Sequence, residues 1–189
     1  VDLVRARVRE VLALEPHVRA PALAEPRRVR ERGRPADPVA QLAAKRVLER
    51  LVVEMAAHAF FQAFEGRGNY TILQIDAHID WRRAHMGEEY GLSSTMRRAS
   101  EMPHIERILQ VGARGIGSAH TDDYEDAVAW GARFFTAHDI HRDGVAPVLD
   151  LIPGGAEIIV CTDVDALDPS LVPGVIGRTP GGLAYHHVL

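Results

Sequence analysis

Asp76-Ala77-His78-Ile79-Asp80 and Asp163-Val164-Asp165-Ala166-Leu167-Asp168-Pro169 each concentrate metal-binding side chains within a few residues. Four carboxylates, Asp76, Asp80, Asp163 and Asp165, join the imidazole of His78 in a hard, oxygen-rich donor set with no thiolate. Such a set suits Mn²⁺ better than structural Zn²⁺. A carboxylate shared between two ions about 3.5–4 Å apart would hold a water or hydroxide between them, which is hydrolase chemistry. Acidic residues after strands also cap helices and decorate loops, and one Asp-x-His-x-Asp alone would not separate the two readings. Two clusters, each with its own flanking pattern, favour the metal.

The strands ahead of the clusters have to aim them. Tyr70–Ile75 and Glu157–Thr162 are short, β-branched and largely apolar, which predicts strands covered on both faces. The carboxylates then stand at the carboxyl edge of a parallel sheet, where open α/β folds place their sites. If the chain stays extended, alternation puts Asp76, His78 and Asp80 on one side of the backbone, and Asp163 and Asp165 likewise.

Around these strands the pattern alternates. Residues 39–65 read as a helix, with no Gly or Pro before the Gly66-Arg67-Gly68-Asn69 turn. A strand follows at 105–111, a helix at 122–130 with Thr121 as N-cap, a strand at 132–136 and a short helix near 145–151. Thr179-Pro180-Gly181-Gly182-Leu183 is a loop entering a final short helix. This order predicts an α/β fold, a parallel sheet with helices on both faces. Residues 1–38, Arg-rich and interrupted by Pro16, Pro21, Pro26, Pro35 and Pro38, form a basic extension that is expected to be poorly ordered, and residues 39–189 form the α/β domain.

Bulk properties narrow the partners. The 189 residues, 47% hydrophobic and 25% charged, suffice for one sizeable core. Net charge is −4, but residues 1–50 carry 12 Lys and Arg against 7 Asp and Glu, leaving 10 against 19 in the rest. An acidic body suits metal ions or a cationic substrate and argues against nucleic acid as ligand. No apolar run approaches the length needed to span a bilayer, and the amino terminus lacks a secretion pattern, so a cytoplasmic protein is expected. The single cysteine, Cys161, excludes an internal disulfide and is expected to be a buried, inert thiol.

The two clusters resemble the signatures of the ureohydrolases, the arginase and agmatinase family. Asp76-Ala77-His78-Ile79-Asp80 is similar to the first, and Asp163 to Pro169 with Pro173, Gly174, Thr179-Pro180 and Gly181-Gly182-Leu183 resembles the second. Ile79-Asp80-Trp81-Arg82 and the run from Ser94 to Met102 look most like the agmatinase branch. The resemblance spans about residues 63–189. It implies a three-layer αβα sandwich with a mainly parallel sheet, truncated at both ends. It also implies two Mn²⁺ ions with a bridging hydroxide, hydrolysis of a small guanidinium substrate to urea and an amine, and assembly into a homo-oligomer, a trimer or hexamer. Asp76 and Asp163 resemble the bridging ligands, His78 and Asp165 the rest of one ion's set, and Asp80 a ligand of the other ion. Asp168 resembles an acid whose hydrogen bonds hold the loop.

Three positions depart from the family pattern. Where the family has Gly-Gly-Asp-His, this chain reads Leu51-Val52-Val53-Glu54, and Glu54 or His58 are the candidate replacements for the missing histidine. Where the family has a catalytic histidine beside a His-Gly pair, this chain has Tyr90-Gly91; His85 is the nearest imidazole and reads either as a substitute proton shuttle or as a solvated loop residue. The strand that carries a substrate-binding Glu in the family has no counterpart. Residues 1–58 fit either a reading-frame error or real divergence, and the alternative function is an inactive fragment acting as a single-metal-binding or subunit-interaction module. His104, His120, His138, His141, His186 and His187 are expected at the surface or in supporting roles, and Arg114 and Arg133 as solvated or paired charges.

Overall fold

The computed structural model describes residues 56–85, 87–115 and 119–188. Four strands, β1 (Tyr70–Ile75), β2 (Ile105–Val111), β3 (Arg133–Phe135) and β4 (Glu157–Thr162), make one sheet in the order β3-β2-β1-β4, every neighbouring pair parallel. The register decides where the motifs emerge: Ile75 pairs with Val111 on one side and Thr162 on the other. The ladder then runs one step past the strands, Asp76 N donating to Val111 O at 2.9 Å and Asp163 N to Ile75 O at 2.9 Å. Both acidic motifs therefore leave the same sheet edge at the same level.

Side-chain alternation splits the core into two layers. Ile72 and Ile108 face α1 (Thr95–Ser100) and α2 (Thr121–Trp130), packing with Met96, Ala99 and Ala127. Leu73, Ile75, Leu109 and Val111 face α3 (Ala137–Asp143) and α4 (Ala146–Leu149), packing with Ala137, Ile140 and Val148. A last turn, α5 (Tyr185–Val188), follows the second motif. Helices on both faces of a parallel sheet give the three-layer αβα arrangement expected from the sequence.

Local signals account for the helix starts. Thr136 and Asp139 form a capping box for α3: Asp139 N donates to Thr136 Oγ1 at 3.1 Å, and Thr136 N donates back to Asp139 Oδ2 at 3.0 Å. For α2 the cap lies one residue earlier than the sequence indicates. His120 is the N-cap residue, with its N–H donating to the Asp123 carboxylate at 3.1 Å, so Thr121 is already helical. The helix read over 39–65 is described only from residue 56, where it is helical to 62 and then breaks into turns.

One strand departs from expectation. β1 is covered on both faces, but among the described residues β4 lies at the sheet edge, with Ile158 42% and Val160 58% exposed. Its other face packs normally, with Ile159 buried. An apolar run alone cannot distinguish a strand flanked on both sides from one that borders the sheet.

Candidate metal centre

The register places Asp76, His78 and Asp165 together, with one ligand atom from each lying within 4.8 Å of the others. His78 Nδ1 is 3.0 Å from Asp165 Oδ2 and 3.4 Å from Asp76 Oδ1. Backbone amides aim both carboxylates: His78 N donates to Asp76 Oδ1 at 2.7 Å, and Ala77 N donates to Asp165 Oδ1 at 3.1 Å. Asp76 and Asp165 are buried and His78 is half-buried.

The electrostatics are those of a cation site. Hydrogen bonds to Asp165 and then Asp76 lift the His78 imidazole to about 10. Burial pushes the Asp76 carboxyl up, opposed by its bonds to His78 and reinforced by the charges of Asp165 and Asp163. For Asp165 burial pulls upward, but the bonds from His78 and Ala77 outweigh it, and the group stays below the usual carboxylate range. Two carboxylates and an imidazole that hold a positive charge between them fit a divalent ion such as Mn²⁺.

The chain does not stay extended through either motif, and the simple alternation fails there. Asp163 opens a 3-10 turn over Val164–Ala166 and accepts from Asp165 N at 2.9 Å, which swings Asp165 inward and leaves Asp163 exposed. Asp80 takes a left-handed conformation, φ 50°, which aspartate tolerates better than most residues. Its carbonyl accepts from Met96 N and Arg97 N at the start of α1, at 3.1 and 3.2 Å. Burial, then the charge of Asp76, pushes its carboxyl well above the usual range.

Gln74 joins Asp80 to Asp76, a link that the sequence reading missed. Its Nε2 donates to Asp76 Oδ2 at 2.9 Å and to Asp80 Oδ2 at 3.1 Å, while Gln110 Nε2 donates to Gln74 Oε1 and, at 2.7 Å, to Ile79 O. Both glutamines are buried, 2% and 1% exposed. The available signal was a glutamine one residue from the carboxyl end of each of two neighbouring strands.

A second missed residue is Arg114. Read as a solvated or paired charge, it is half-buried and donates to five backbone carbonyls, those of Gly112, Asp165, Ala166, Leu167 and Thr179. Asp168 ties the same loop from the other side, accepting from Ser170 N, Gly181 N and Gly182 N at 3.0, 2.9 and 3.0 Å. Leu183 N closes the loop onto Ala166 O at 2.8 Å. The loop-holding role expected of Asp168 matches these bonds.

The histidines distribute differently. His85 is exposed, paired through its backbone with Glu88, and its Nδ1 accepts from Arg82 at 2.9 Å, which places its proton on Nε2. His58 packs edge-on against Tyr90, ring centroids 5.0 Å apart, and burial, followed by the Arg98 charge, lowers its pKa. Neither belongs to the Asp76, His78 and Asp165 group. Glu54 lies outside the described residues. His104, expected at the surface or in a supporting role, is instead buried in the core and donates through Nε2 to Phe61 O at 2.9 Å. Cys161, expected to be buried, is half-buried, and its burial, with the charges of Asp76 and Asp80, raises the thiol to about 11.

Known proteins resemble this chain in sequence and fold. The arginase family profile matches residues 52–189. The N(1)-aminopropylagmatine ureohydrolase of Thermus thermophilus is 34% identical over 134 residues, 70% of this chain and 44% of that protein. Among solved structures, arginase from Medicago truncatula superposes with a TM-score of 0.60 at 29% identity, covering 74% of this chain and 42% of its own. Proclavaminate amidino hydrolase from Streptomyces clavuligerus gives 0.61 at 28%, covering 71% and 46%. The chain thus spans less than half the length of these relatives. On the profile match and the identities together, the chain belongs to the arginase family.

Proposed function

We propose that this protein is an agmatinase-like ureohydrolase, cleaving a small guanidinium compound into urea and an amine at a binuclear Mn²⁺ centre. The observation that carries this reading is the convergence of Asp76, His78 and Asp165 at the carboxyl edge of the sheet. Those three would hold one ion, and Asp80 and Asp163 would serve the second position. Bound divalent ions lower the pKa of water toward neutrality and stabilise the charge that develops on the amidine.

The chain's own residues prepare the site. Gln74 keeps Asp76 and Asp80 from springing apart by donating to both. Burial and the neighbouring Asp76 charge raise the Asp80 pKa, and a bound cation would favour its charged form. The acidic main body concentrates a guanidinium substrate near the site, with an electrostatic preference that weakens as salt rises. A cytoplasmic homo-oligomer, trimer or hexamer, completes the reading.

One observation favours a second reading, a single-ion binding module without turnover. Of the five candidate ligands only three gather, with Asp163 exposed and Asp80 tied to Gln74. Mn²⁺ stoichiometry by metal analysis, with urea release from agmatine, 4-guanidinobutyrate, arginine and formiminoglutamate, tests both. Two ions and urea from one of these support the hydrolase; one ion and no urea from any of them supports the module.

A further inference from the structure

Arg114 grips both acidic motifs at once. Its backbone N–H donates to Ala77 O at 3.0 Å, between Asp76 and His78. Its guanidinium reaches the second motif, with Nη2 bonded to Asp165 O at 2.7 Å and Leu167 O at 3.2 Å, Nη1 to Ala166 O at 3.1 Å and Gly112 O at 3.2 Å, and Nε to Thr179 O at 3.0 Å. Only Arg has enough fixed, fanned-out donors for such a set; a Lys ammonium has three donors at one point.

The site needs such a brace. Asp76 and His78 follow β1 while Asp165 follows β4, and ligand positions matter at about 0.5 Å. The 3-10 turn that carries Asp165 bonds to Arg114 through three successive carbonyls, 165 to 167, so a shift of the guanidinium moves the ligand itself. We propose that Arg114 is a positioning residue that sets the Mn²⁺ affinity of the Asp76, His78 and Asp165 site by fixing the second motif against the first. The inference rests on the metal-centre reading above.

Charge and geometry predict opposite signs. A fixed cation close to the site opposes a divalent ion, so by charge alone a neutral substitution tightens Mn²⁺ binding. By geometry the same substitution weakens it, and so does Arg114→Lys, which keeps the charge and loses the fork. A purely structural role lowers the melting temperature and leaves the affinity of the folded protein unchanged.

The experiment titrates Mn²⁺ into the full chain and its Arg114→Met and Arg114→Lys variants, following the free-ion EPR signal at fixed pH, with circular dichroism to verify folding. A 10- to 100-fold loss of affinity is expected in both, the order found when groups supporting metal ligands are removed. Unchanged or tighter binding in either folded variant overturns the proposal. If neither folds, Gly115→Ala decides: at φ 83° an alanine strains the backbone beside Arg114, and its Cβ would lie 2.9 Å from Thr179 Cγ2, so the substitution disturbs the seat of the guanidinium while keeping the arginine side chain. Weakened Mn²⁺ binding by that variant supports the proposal, and binding equal to the parent chain overturns it. A parent chain that takes up no Mn²⁺ sinks the metal-centre reading and this inference with it, whereas a parent that binds beside variants that bind equally sinks only the role of Arg114.

Discussion

The imidazole of His78 stands 3.0 Å from an Asp165 carboxylate oxygen because β1 and β4 are adjacent, parallel and in register to their last residues. The contact is thus a property of the sheet together with the 3-10 turn that swings Asp165 inward. If it marks a metal centre, removing either partner should remove the ion.

His78→Ala and Asp165→Asn are each expected to lower Mn²⁺ affinity by more than about 100-fold, beyond the loss typical of supporting residues. Calorimetric titration of the folded variants measures it, and a parent-like isotherm from either would exclude that residue as a ligand.

Asp168 gives a pH dependence of known sign. Hydrogen bonds from Ser170, then Gly182 and Gly181, hold its carboxyl at about 2, below the ordinary 3.8. A depressed folded-state pKa contributes stability that is present above about pH 4 and is lost as pH falls toward 2. Asp168→Asn is therefore expected to lower the melting temperature at pH 7 and to flatten its dependence between pH 4 and 2. Parallel melting curves for the variant and the parent over that window would contradict this.

Gly182 has no room for a side chain. A Cβ there would sit 2.6 Å from Asp168 Cα, with Asp168 N and the Leu167 carbonyl carbon equally crowded. Gly182→Ala must push the loop away from Asp168, at a cost of about 3 kcal/mol. Urea unfolding measures the loss, and a change under about 1 kcal/mol would mean that the loop yields easily.

Gln74→Met keeps the volume of the side chain and removes its hydrogen bonds, leaving Asp76, Asp80 and Gln110 short of a buried partner. Loss of roughly 1–3 kcal/mol is expected. The unfolding midpoint should fall with an unchanged slope, and an equal or higher midpoint would show that the link is dispensable.

Cys161, with its thiol raised to about 11, carries little thiolate at pH 8. Disulfide-exchange reagents should label it slowly in the native protein and rapidly in urea. Fast native labelling would place the thiol in contact with solvent.

How legible the molecule was depended on the kind of signal. β1, β2 and β4 were readable because an apolar, β-branched run ending in a turn has few alternatives, and the observed bounds agree with those runs. The edge position of β4 was not readable, because it depends on which strands become neighbours. The acidic clusters were readable because their composition is unusual in itself. The inward turn of Asp165 was not, since alternation assumes an extended chain and Asp163 caps a turn instead. Gln74 and Arg114 were passed over for the same reason: an amide in a strand and an arginine in a loop acquire meaning only from what lies opposite.

By itself the sequence determined the donor types, the strands that carry them and the family they resemble, because those follow from composition and short-range order. Tertiary structure alone decided which donors meet. Parallel register brought Asp76, His78 and Asp165 to one point, the turn at Asp163 left that carboxylate exposed, Gln74 linked Asp80 to Asp76, and Arg114 joined the two motifs through backbone carbonyls. Hydrogen bonds between loops far apart in the chain depend on the pairing of the strands beneath them, and that pairing exists only once the sheet has formed.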